Sequence, residues 1–103
     1  MKILLISTTV MALPPLGYAG TEMIVYQLAL AYQKAGHQVS LAAPFMSEMP
    51  EGIELIPTAL HEDERSAYAK YKDRLTEFDI IHDHTFQAWA YQGSIGIDPP
   101  LPI

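Results

Sequence analysis

A chain of 103 residues, half of them hydrophobic and 17% charged, is expected to fold as one small globular domain. Its net charge of -6, with only 6 Lys and Arg and no dense basic patch, argues against a nucleic-acid surface, which clustered cations must drive. With 0 cysteines there is no disulfide framework and no thiolate zinc site, which suits a reducing, cytoplasmic location.

Residues 2–8 read as a strand built on an apolar, β-branched run, the pattern of a parallel strand covered on both faces. The start superficially resembles a secretion signal, but only Lys2 precedes the run, and Ser7, Thr8 and Thr9 interrupt it. No apolar stretch reaches the roughly 20 residues that a membrane-spanning helix needs. Residues 11–20 hold two prolines and two glycines and read as a loop. Residues 21–35 read as a helix, mostly apolar, with Gly36 placed to cap its C-terminus in the left-handed conformation. Residues 37–43 and 53–57 read as strands, joined by a loop over residues 44–52.

Residues 62–78 are expected to form a second helix, with Tyr68, Tyr71, Leu75 and Phe78 as one narrow apolar stripe. Glu62, Asp63 and Glu64 open it and Lys70, Lys72 and Arg74 lie towards its end, the polarity that a helix dipole favours. That stripe predicts a solvent-facing cover, whereas the first helix should be buried more deeply. Residues 79–83 read as a fourth strand, and residues 86–91 as the start of a third helix in which Trp89 and Tyr91 pack. After a turn at residues 98–100, residues 101–103 look like a strand beginning, which predicts a partial domain able to associate through an open sheet edge. The alternation predicts right-handed βαβ units. The fold expected is an α/β, Rossmann-like parallel sheet of four to five strands with helices on both faces.

In such a sheet, ligands bind beyond the carboxyl ends of the strands. There Gly17-Tyr18-Ala19-Gly20 precedes a helix, whose free N–H groups and positive dipole end suit an anion. The G-x-x-G spacing is neither the dinucleotide fingerprint nor a P-loop, and on composition alone a plain βα loop with a glycine at the helix entry is favoured. His82 and His84 alternate onto one face of the fourth strand, with Asp83 opposite. Metal ligation, a satisfied structural histidine and a substrate-pocket histidine all remain open for this pair, although no third metal ligand can be named.

Taken together, the Lys-Ile-Leu-Leu-Ile start, the segment Pro14-Pro15-Leu16-Gly17-Tyr18-Ala19-Gly20-Thr21-Glu22, the strand His37-Gln38-Val39-Ser40-Leu41, and Phe78-Asp79-Ile80-Ile81-His82-Asp83-His84 resemble the N-terminal domain of family 4 glycosyltransferases. The likeness covers nearly the whole chain. It implies the GT-B architecture, in which two Rossmann-like domains face each other across a cleft. The activity implied is a retaining, metal-independent sugar transfer from a nucleotide-sugar donor to an acceptor, with no cofactor. By that resemblance Gly20 would present its N–H to the donor diphosphate, and His84, as the catalytic residue, would contact the transferred sugar or stabilise the cationic transition state. Thr21 and Glu22 match the family's Thr-Glu at the helix start. Ala19 stands where the family has the first glycine of the pair, a departure that puts any donor contact there in question. The family's donor-gripping C-terminal domain has no counterpart here, so the isolated chain is expected to be inactive. The alternative is a stand-alone nucleotide- or phosphate-binding module without transferase activity.

Overall fold

A computed structural model describes residues 1–15, 17, 20–96 and 101–103. Strand β1 (Lys2–Ile6) lies at the centre of the sheet, with Ile3 to Ile6 buried on both faces. It pairs in parallel with β2 (Gln38–Pro44) on one side and with β4 (Ile80–Asp83) on the other. β3 (Glu54–Thr58) pairs in parallel with β2, giving the order β3-β2-β1-β4. The expected four-stranded parallel sheet is therefore present.

The two-residue side-chain period sorts the apolar residues into two cores. Leu5, Val39, Leu41 and Ala43 face α1 (Gly20–Lys34) and pack with its Val25 and Ala29. Leu4, Ile6, Ala42, Ile56 and Ile81 face the other way, onto Tyr71, Leu75 and Phe78. This second layer is built from α2 (Glu64–Tyr68), a 3₁₀ helix (Lys72–Glu77) and α3 (Trp89–Ser94). Helices thus cover both faces. Each fully buried Leu or Ile contributes about 1.5–3 kcal/mol by leaving water.

Helix α1 ends as its sequence predicts. Gly36 has φ +95°, its N–H donates to the Gln33 carbonyl and the His37 N–H to that of Tyr32, both at 3.0 Å. That pair of bonds is a Schellman cap, and the positive φ explains the glycine. α1 buries the stripe Glu22, Val25 and Ala29 and leaves Ile24 53% exposed, while most of residues 62–78 are exposed, as expected of the outer cover. Other expectations are corrected. The expected helix over residues 62–78 is broken after α2, and its Tyr71 is the largest fully buried side chain. Lys70 Nζ reaches Glu62 Oε1 at 2.8 Å across eight residues.

Residues 101–103 form no strand, although the Ile81 N–H donates to the Pro102 carbonyl at 2.8 Å on the outer edge of β4. Tyr91 is 60% exposed and does not pack. Among the described residues no helix is long and apolar enough to cross a membrane.

Candidate functional site at the sheet switch point

Because β2 and β3 lie on one side of β1 and β4 on the other, the chain reverses direction across the sheet between β1 and β4. Connections leave those two strands towards opposite faces, which opens a crevice at their carboxyl ends. Three backbone and side-chain bonds build this rim. The His84 N–H donates to the Ile6 carbonyl at 2.9 Å, fastening the end of β4 to the end of β1. The Ser7 N–H donates to the Ala42 carbonyl at 2.9 Å, extending β1 along β2. The Thr8 hydroxyl donates to the Glu22 carboxylate at 2.5 Å, tying the end of β1 to the first turn of α1.

Both Thr8 and Glu22 are buried. A carboxylate can remain inside only when hydrogen-bonded, and its negative charge also faces the positive end of α1. Gly20 is the first residue of α1 and is exposed, and Thr21 follows half-buried. Gly20, Thr21 and Glu22 therefore share one helical turn, in which Glu22 is committed to the protein interior and Gly20 to the surface. Ala19 lies outside the described residues.

His82 is in register with Leu5, so it points to the α1 face, and the His82 and His84 rings lie 4.2 Å apart between centroids. The expected alternation is correct. Nε2 of His84 is buried with no hydrogen-bond partner among the described residues. Burial holds the His84 imidazole below its ordinary range, and the neighbouring His82 adds to this, while Asp83 opposes it. Burial thus favours the neutral form of His84, one nitrogen of which is turned into the protein.

Asp83 occupies the opposite face. Its Oδ1 accepts from the Thr85 N–H at 2.9 Å and the Thr85 hydroxyl at 2.7 Å. Its Oδ2 is buried without a partner among the described residues, and the Tyr71 phenol is pushed up chiefly by burial and further by the charge of Asp83. The following loop is gripped by Glu64, whose two carboxylate oxygens accept from the Phe86 and Gln87 N–H groups at 3.0 and 2.8 Å. No group of three His, Asp or Glu side chains is arranged to hold a metal among the described residues.

Further along the rim, the loops after β1, β2 and β3 are sewn together. The Leu13 N–H donates to Ser47 Oγ at 2.9 Å, and the Glu48 N–H to the Leu13 carbonyl at 2.7 Å. The His61 N–H donates to the Thr9 carbonyl at 2.7 Å, and the Thr9 hydroxyl to that of Glu62 at 2.6 Å. These loops enclose an open cavity of about 450 Å³, with apolar walls from Val10, Met11, Pro14, Met46 and Leu60 and the single carboxylate of Glu48. The cavity lies beside the β1–β4 crevice rather than in it.

Sequence reasoning singled out Gly20, Thr21, Glu22 and His84, and the structure gathers their elements at neighbouring strand ends. It missed Thr8, Thr85 and Glu64. Thr8 carried a usable signal, a hydroxyl ending an apolar strand. Glu64 carried none, because its partners are backbone groups more than twenty positions away. Compared with known proteins, the chain matches no protein-family profile and no curated sequence.

Proposed function

We propose that the chain is the N-terminal, acceptor-side part of a retaining glycosyltransferase that transfers a sugar from a nucleotide-sugar donor, and that these residues alone do not catalyse. The observation that carries this reading is the adjacency of the two segments that resemble the family. The start of α1 is tied to the end of β1 through Thr8 and Glu22, and His84 is bonded to the same strand end at Ile6. Both segments border one crevice at the switch point, where an open α/β sheet takes its ligands.

The chemistry follows from the groups available. The free N–H groups in the first turn of α1, beginning at Gly20, would stabilise negative charge on a departing diphosphate. A neutral His84 suits the sugar side, where positive charge develops in the transition state and a second cation would raise the barrier. Its depressed basicity favours that neutral form. The apolar cavity beside Glu48 supports placing the acceptor on this half.

The test uses the longer protein that carries a donor-binding domain. His84→Ala is expected to lower kcat about 100-fold, in the range seen for loss of one transition-state contact, with little change in melting temperature. Gly20→Val is expected to reduce transfer with the fold intact. Unchanged turnover in both variants would overturn the assignment. Micromolar binding of UDP, GDP or ADP by the isolated chain, measured by calorimetry, would favour the stand-alone nucleotide-binding module instead.

A further inference from the structure

Away from the rim, α2 and α3 enclose a second open cavity of about 390 Å³, walled by Arg65, Tyr68, Lys72, Trp89, Gln92 and Gly93. The chain holds 6 basic residues against 12 carboxylates, and their pairing is uneven. Lys70 pairs with Glu62 at 2.8 Å, and Arg74 with Glu54 and Glu77 at 2.9 and 3.1 Å. Arg65 and Lys72 pair with no carboxylate among the described residues, and both line this one cavity.

The remaining walls suit a ring. The Arg65 guanidinium lies 5.7 Å from the Trp89 ring centroid, so the cation is held beside an aromatic surface rather than left in bulk water. The Trp89 indole N–H donates to Gln87 Oε1 at 2.6 Å, which fixes the ring. Tyr68 packs edge-on against the buried Tyr71 with centroids 5.6 Å apart. Its hydroxyl lies against Gly93, where any Cβ would overlap it, so glycine is what lets this hydroxyl sit against α3. Two uncompensated cations, a fixed indole, a hydroxyl and the Gln92 carboxamide therefore meet in a volume of the size that small molecules occupy.

We propose that this cavity binds a small organic anion built on a ring, with its phosphate or carboxylate on Arg65 and Lys72 and its ring against Trp89. The planar Arg fork matches such anions in geometry as well as charge. In a chain of net charge -6, an anion is held only where cations are locally uncompensated, so binding should weaken with salt.

Trp89 is the chain's single tryptophan, and its fluorescence reports on this cavity. Titration of the intact chain with phenyl phosphate at low salt is expected to give a saturable change in the millimolar range. Arg65→Gln and Lys72→Gln should each weaken it about tenfold, the loss of one charge-assisted contact. Both side chains are exposed, so these variants should keep the wild-type melt, and Arg65→Lys, which retains the charge, should bind more tightly than Arg65→Gln. Benzoate as a second probe separates carboxylate from phosphate recognition. A response that does not saturate, one that both Gln variants leave unchanged, or an equal response to neutral benzyl alcohol would each overturn the proposal.

Discussion

Two side chains at the rim, Glu22 and His84, can each be tested singly. The Glu22 carboxylate is buried against the Thr8 hydroxyl. Replacing the donor leaves a buried charge without its partner, and a hydrogen bond to a charged group is worth about 1.5–3 kcal/mol. Thr8→Val, which keeps the side-chain shape, should therefore destabilise the fold by about 2 kcal/mol in urea denaturation. A loss within a few tenths would mean that solvent reaches Glu22. At His84, burial disfavours the charged form of the ring. Its folded-state pKa lies below the ordinary 6.5, so on acidification the unfolded chain takes up this proton first. The His84 component of stability is thus constant above that value. It falls as pH drops through it and levels off below the folded pKa. The midpoint of the His84 ring-proton shift should lie below 6.5, and His84→Gln should flatten that part of the stability profile. A midpoint above it would show that Asp83 outweighs burial.

Among the elements, what the sequence made legible was whatever depends on short-range periodicity. β1, α1, the Gly36 cap and the succession of four strands along the chain follow from an apolar run, helical spacing and a glycine placed at a helix end. The face shared by His82 and His84 follows from the two-residue period of β4. The second helix was misread because Tyr68, Tyr71, Leu75 and Phe78 recur at helical spacing, and the pattern cannot see what else competes. Arg74 donates to both carboxylate oxygens of Glu54 on β3, at 3.0 and 2.9 Å, a contact across the sheet edge that helical spacing alone does not reveal. The loop into α3 was opaque for the same reason. Ala88 caps that helix from the left-handed region at φ 52° with no side-chain bond, and the hold on the loop comes from Glu64 on α2. Glu64→Ala should therefore loosen the start of α3, at a cost of about 1–2 kcal/mol for the freed N–H groups. Hydrogen exchange should show faster exchange confined to Phe86, Gln87 and the first turn of α3. Uniformly faster exchange across the sheet would assign Glu64 to global stability instead.

For the molecule as a whole, the open question of physics is how a four-stranded parallel sheet tolerates its edges. β3 and β4 are both flanking strands, and among the described residues no further strand pairs with the outer side of either. On the β4 side the chain supplies its own partial cover. Pro102 accepts the outward Ile81 N–H, and Leu101 packs against the core beneath the second helical layer. Proline itself offers no N–H, so this segment satisfies one donor of β4 without extending the ladder to a further strand. Ending the chain after Gly96 removes that acceptor and the Leu101 contact together. Ile80, already 39% exposed on the same strand, would then stand beside a bare edge. The shortened chain should lose about 2–3 kcal/mol, one hydrogen bond plus one partly buried leucine. It should also self-associate with rising concentration, because an uncovered edge is a template for another strand. Light scattering over a concentration series separates the two effects. A strictly monomeric truncated chain with an unchanged melt would mean that β4 needs no cover. Recovery of the monomer by a charged residue at Ile80 would place the association on this edge, since a charge there opposes a second strand without restoring the lost hydrogen bond.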